Sequence, residues 1–218
     1  MRMRRKKNLV PRMERCAQWL ISDPQALRGN WRSLLPGAKE LRIELGCGKG
    51  RFTCQTAAAA PEVLFVAVER VPDAMVMAME RARDMELHNV FFIDADAANL
   101  PAFFAPDEVD LIYINFCDPW PPKRHAKRRL THRDFLLRYR QVLRAGGEIH
   151  FKTDNVGLFA FSVTVIELIV DDPGIVAPGD AVIGHQGIPG VGDAVVHIDC
   201  GCLLLGHLLG GLGLLLPA

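Results

Sequence analysis

The stretch DPWPPKRHAKRRLTH, residues 118–132, sets one acid, Asp118, against five cations packed into seven residues: Lys123, Arg124, Lys127, Arg128 and Arg129. Cations at that density hold a polyanion through its phosphates, without regard to sequence and with an affinity that falls as salt rises. A carboxylate beside them accepts hydrogen bonds from the N–H edge of a base and stabilises positive charge placed on it. Pro119, Pro121 and Pro122 stiffen the chain between the two functions and so fix Asp118. Trp120 either stacks on a base or buries in the core. His125 and His132 lack metal-ligand partners at helical spacing, and are expected to make phosphate or structural contacts.

A second constellation begins at Glu44-Leu-Gly-Cys-Gly-Lys-Gly50. Gly46, Gly48 and Gly50 permit a tight turn and let backbone N–H groups approach a ligand, a pattern open to dinucleotides and to S-adenosylmethionine alike. Glu69, 23 residues beyond Gly46, is placed to accept the hydroxyls of a ribose. Asp94 and Asp96 close the next apolar run, where an acid accepts from an adenine amino group. Glu44, inside the turn, would repel a pyrophosphate but suits an ammonium or sulfonium, which tilts the choice toward methyl transfer.

The elements that must position these groups are short apolar runs separated by helical stretches. The runs are LRIEL (41–45), VLFVAVE (63–69), VFFID (90–94), VDLIYINF (109–116) and GEIHFKT (147–153). That alternation predicts βαβ units on a largely parallel sheet with helices on both faces, an α/β fold. Met75, Ala78, Met79 and Ala82 mark the buried face of a helix that opens at Pro72 and Asp73. FLLRYRQVL (135–143) predicts another helix, turned into the fifth strand by Ala145-Gly146-Gly147. Acids or glycines then follow four successive strands, at the carboxyl edge where such sheets bind ligands.

With these motifs in place, residues 1 to about 162 resemble the bacterial tRNA (guanine-N7-)-methyltransferases. The likeness rests on ELGCGKG, DPWPPKRHAKRRLTH and EIHFKTDN. It implies a Rossmann-like class I methyltransferase that uses S-adenosylmethionine to methylate N7 of the variable-loop guanine, position 46, of tRNA. It further implies that Glu44, Glu69, Asp96 and Asp118 line the donor pocket, together with Gly46 and Gly48 of the turn. Asp118 is the expected catalytic residue, acting by recognition and electrostatics more than by proton abstraction. Asp154 would contact substrate, and the strip Arg124, His125, Ala126, Lys127, Arg128 and Arg129 would touch RNA. The family has Lys at the position of Pro122, and Lys123 is the expected substitute in substrate binding.

The C-terminal stretch departs from that family. No Tyr follows Tyr139, so the family's Thr-x-Tyr-Glu motif is missing. Residues 153–218 contain no Lys or Arg, and 11 of the 19 glycines fall after Val165. We expect residues 1–162 to form the methyltransferase domain with a basic N-terminal arm. Residues 163–218 would be an atypical Gly/Leu-rich tail read from a shifted frame, leaving an open edge beside the fifth strand. Two alternatives stay open: a tRNA-binding protein whose catalysis is impaired by the missing motif, and a methyltransferase for small molecules or proteins.

Charge supports the nucleic-acid readings. The chain has a formal net charge of only +1, but all 26 Lys and Arg lie between Arg2 and Lys152, so residues 1–165 carry +7. The start, MRMRRKKNLVPR, is either a solvated tail or an RNA-contacting arm. Six Cys without disulfide-framework spacing, and no signal peptide or long apolar span, predict a reduced, cytoplasmic protein without a membrane segment. Cys47 and Cys54 are expected in the core. Cys200-Gly-Cys202 lacks a second pair, so no metal is expected. A monomer is the default.

Overall fold

A computed structural model describes residues 6–170, 183–187 and 194–200. Among the described residues, seven strands form one sheet in the order β3-β2-β1-β4-β5-β7-β6. They are β1 (Glu40–Leu45), β2 (Val63–Glu69), β3 (Val90–Asp94), β4 (Val109–Asn115), β5 (Leu143–Thr153), β6 (Ile183–Gly187) and β7 (Ala194–Cys200). The first five run parallel, as the α/β reading requires.

β2 is apolar up to its terminal Glu69 because both of its faces are covered. Along β2, Leu64, Val66 and Val68 enter one core, while Val63, Phe65 and Ala67 enter the other. The second core is filled from α2 (Arg51–Ala59) and α3 (Pro72–Asp84), where Met75, Ala78, Met79 and Ala82 are all fully buried. The first is filled from α4 (Leu100–Phe103), α5 (Arg133–Arg140) and α6 (Val156–Val170), through residues such as Phe103, Tyr139 and Leu158. A single Ile-to-Val truncation in the first core, at Ile43 or Ile112, would cost about 0.5–1.5 kcal/mol. Cys47 and Cys54 are buried, as the sequence suggests.

The sheet reverses its winding between β1 and β4, which opens a crevice at their carboxyl ends. At the opposite end Asp110 ties three segments together. It accepts the Leu41 N–H at 2.6 Å, the Arg32 guanidinium at 2.5 Å and the Arg144 guanidinium at 2.6 Å.

Three expectations are corrected. The fifth helix stops at Arg140, so Val142 and Leu143 lie beyond it. The fifth strand begins at Leu143, four residues before the expected start, and bulges against β4 as the pairing jumps from Val109↔Leu143 to Leu111↔Glu148. The edge beside β5 is not open: β7 pairs antiparallel along Gly147–Thr153, and β6 pairs with β7. A ladder needs only main-chain donors and acceptors, which any non-proline sequence supplies. The boundary placed near Ser162 falls inside α6, where the Ser162 hydroxyl donates to Leu158 O and lies 2.7 Å from the Thr131 hydroxyl.

The N-terminal arm, from Lys6 onward, lies back on the protein. The Lys6 N–H donates to Asp73 at 2.5 Å, and within α1 (Leu9–Glu14) Arg12 grips both oxygens of Glu80. Residues 1–5 and Cys202 lie outside the described residues, as do the side chains of β6 and β7.

Candidate active site

The turn after β1 is built from its glycines inward. Gly46 has φ +76°, and a Cβ there would meet no protein atom within 4 Å, so the absence of a side chain leaves open space against the crevice. Gly50, φ +68°, is tight instead, since a Cβ would come within 2.5 Å of the Ala78 Cβ. The N–H groups of the three glycines are all spent internally. Gly46 donates to Val68 O at 2.8 Å, Gly50 to Cys47 O at 2.9 Å, and Gly48 to the Glu69 carboxylate at 2.9 Å. A pyrophosphate cradle needs such groups pointing outward, so the turn's own geometry argues against a dinucleotide.

Glu44 lies beneath this turn, 4 % exposed, with the Thr53 hydroxyl donating to one oxygen and Asn115 to the other at 3.2 Å. Burial pushes its carboxyl above the ordinary range against the pull of those two bonds, and nearby Glu69 adds in the same direction. Glu44 and Gly48 therefore support the floor, and neither lines the crevice wall.

Gly46, Glu69, Asp96 and Asp118 do share that wall. Glu69 is buried and accepts one N–H on each oxygen, Gly48 on one and Val71 at 2.9 Å on the other. Those bonds fix the carboxylate while leaving a lone pair on each oxygen for a ribose diol. Asp96 caps the 3₁₀ turn that follows it, accepting the Ala98 N–H at 2.8 Å, and lies 3.8 Å from Arg70. Asp118 is exposed at the mouth. Asp94 is turned away to a neighbouring depression formed with Leu20–Gln25, where burial raises its pKa. Asp154 follows β5 at the same edge of the sheet, exposed and outside the crevice wall.

The basic strip forms a 3₁₀ turn, Lys123–Arg128. Lys123, Arg124, Lys127 and Arg128 are exposed, while His125 and Ala126 are half-buried. Trp120 is engaged by its own loop: Arg128 lies over the indole at 4.9 Å and His125 meets it edge-on at 5.8 Å. His132 caps α5 by accepting the Asp134 N–H, which is a structural contact. Lys123 opens the turn beyond the crevice wall.

Arg129 breaks the pattern of its neighbours. It is only 9 % exposed and donates to Pro119 O at 3.0 Å and Trp120 O at 3.1 Å, with its guanidinium 4.2 Å from the Phe161 ring. It holds the loop that carries Asp118 rather than facing outward with the other cations. The sequence reading also missed Phe116, which stands 53 % exposed on the crevice wall with φ +50°. As the last apolar residue of a strand it carries no separate signal, whereas Arg129 is hidden by the uniform charge around it.

Comparisons place the chain among methyltransferases. A family model described as "Putative methyltransferase" matches residues 38–176. The tRNA (guanine-N(7)-)-methyltransferase of Bacillus cytotoxicus is 43% identical over 163 residues, 75% of each chain. That of Geobacillus thermodenitrificans is 44% identical over 163 residues, 75% of this chain and 76% of its own. Among solved structures, the antibiotic-resistance methyltransferase Kmr superposes with a TM-score of 0.56 over 80% of this chain and 93% of its own; at 18% identity the likeness is one of fold.

Proposed function

Since the chain belongs to the tRNA (guanine-N(7)-)-methyltransferase family, we propose that its crevice brings S-adenosylmethionine against N7 of the variable-loop guanine, position 46, of tRNA. The crevice fits the donor at two points of its own geometry: the space that Gly46 leaves open, and a Glu69 carboxylate already oriented by two N–H groups. When bound, the donor supplies a sulfonium methyl, which passes to the N7 lone pair while the C–S electron pair returns to sulfur.

The protein's part is mostly alignment. N7 is unprotonated near neutral pH and needs no strong base, so positioning supplies several kcal/mol, up to roughly 7–11 in favourable cases. Asp118, the catalytic residue in this reading, accepts from the N1–H and N2–H of guanine, groups that adenine does not present there, and offsets the positive charge that alkylation leaves on the ring. Gly46, Glu69 and Asp96 hold the donor, with Glu44 and Gly48 supporting the turn from below. Lys123 and Asp154 contact the substrate. Arg124, His125, Ala126, Lys127 and Arg128 form the surface against the phosphates, and Arg129 serves them by fixing the loop.

The observation that carries this reading is the position of Asp118, at the mouth of the donor crevice and at the root of the exposed basic turn. Among the described residues no helix is long and apolar enough to cross a membrane, and no cluster of metal-ligating side chains occurs. The reading is completed by a cytoplasmic monomer that needs no metal. It also keeps the division near residue 162, inside α6, as the start of a shifted frame; that part fails if neither other frame of the coding DNA contains Thr-x-Tyr-Glu.

Labelled S-adenosylmethionine and unmodified tRNA test the reaction. Label should appear in tRNA, at a guanine where borohydride reduction followed by aniline cleaves the chain. Asp118→Ala should abolish transfer while tRNA affinity holds. Binding without label transfer by the unaltered protein would favour a tRNA-binding role.

A further inference from the structure

We propose that the Phe116 ring is the platform on which the target purine stacks, a proposal that rests on the reading above and names a residue for it. Every residue of β4 from Val109 to Ile114 is buried, yet Phe116, just past the end of that strand, is 53 % exposed on the wall shared with Asp118. Its backbone is held at φ +50°, a region that bulky residues avoid. The Phe116 N–H donates to Lys152 O at 2.8 Å, extending the β4–β5 ladder by one step and holding that conformation. A strained, exposed aromatic that its surroundings keep in place is a feature of ligand sites.

Trp120, for which the sequence left stacking and burial equally open, is already covered by Arg128 and His125. Among the described residues Phe116 has one neighbour of that kind, the Lys152 ammonium, 5.5 Å from its ring centre, which leaves the opposite face for a base. One residue, Cys117, separates the ring from Asp118, so one purine can lie against the phenyl face while its edge meets the carboxylate. The purine becomes cationic as N7 gains the methyl, and an aromatic face attracts a cation more than a neutral ring. Stacking therefore strengthens toward the transition state, and its loss should lower the transfer rate as well as affinity.

The test compares Phe116→Leu with Phe116→Tyr in the full chain. Binding of S-adenosylhomocysteine, followed calorimetrically, should stay within about twofold in both, since the ring serves the base. In single-turnover transfer, Phe116→Leu should lose roughly 10- to 100-fold in rate over half-saturating tRNA concentration, the range spanned by base–aromatic stacking, and Phe116→Tyr should retain most activity. A tRNA carrying 2-aminopurine at the target position should be quenched on binding by the unaltered protein and by Phe116→Tyr, and stay bright with Phe116→Leu. Transfer and quenching unchanged in Phe116→Leu would overturn the proposal, as would loss of donor binding with quenching intact. If the unaltered protein transfers no methyl to tRNA, the functional reading falls and takes this one with it; if it does and Phe116→Leu matches it, only the platform is lost.

Discussion

Replacing Arg129 with Ala separates the inward cation from its outward neighbours. The substitution removes two bonds from a charged donor to the carbonyls of Pro119 and Trp120, and a cation–ring contact at 4.2 Å with Phe161. Bonds from charged groups are worth about 1.5–3 kcal/mol each, and the ring contact about 0.5–2. The three share one guanidinium and do not add, so the expected loss is about 3–4 kcal/mol. At about 2–4 °C per kcal/mol for a chain of this size, calorimetry should show Tm falling by roughly 6–16 °C. Methyl transfer should fall with it, because the loop carrying Asp118 loses its tether. Arg128→Ala serves as the comparison: exposed over Trp120, it should move stability by no more than about 0.5 kcal/mol while reducing the slope of log K for tRNA against log salt by about 1. An Arg129→Ala protein that melts within about a degree of the original, yet loses a full unit of salt slope, would refute the argument from burial.

Other substitutions probe the turn and its floor. Gly50→Ala puts a Cβ 2.5 Å from that of Ala78 at φ +68°, and should cost about 2–5 kcal/mol in urea unfolding from overpacking and backbone strain together. Gly46→Ala meets open space at φ +76°, so it should cost only about 1–2 kcal/mol, with the larger effect on calorimetric affinity for S-adenosylhomocysteine. Glu44 has a raised carboxyl pKa from burial, so the folded state holds its proton more tightly than the unfolded chain does. Stability therefore falls as pH rises from the unfolded value, about 4.3, through the folded one. Glu44→Gln should be the more stable protein at pH 8 in thermal melts without donor, with the difference shrinking on acidification; a difference that grows toward low pH would contradict the sign.

The parallel strands were legible because a strand covered on both faces is apolar almost from end to end, as VLFVAVE is up to Glu69. The carboxyl-edge acids followed from where those strands end. Less legible was anything decided by the direction of a side chain in irregular backbone. Arg128 and Arg129 are adjacent and alike in charge, yet one lies over an indole at the surface and the other is inside. Glu44 looked like a donor contact because it precedes the glycines, but alternation along β1 sends it to Thr53 and Asn115. The bulge at the start of β5 escaped because Leu143 reads equally well as the last apolar residue of a helix. The fastening of the N-terminal arm rests on Arg12 and Glu80, partners 68 residues apart, a distance over which local patterns carry no information.

The knot around Asp110 has a practical consequence. It welds the segment carrying Arg32, the first strand and the return into β5 at the end of the sheet farthest from the crevice, so part of the thermal endurance is set at the pole opposite to turnover. Selection for heat tolerance can work on that pole, in the charges that surround one buried acid, while the ligand-facing rim stays free to change its pace.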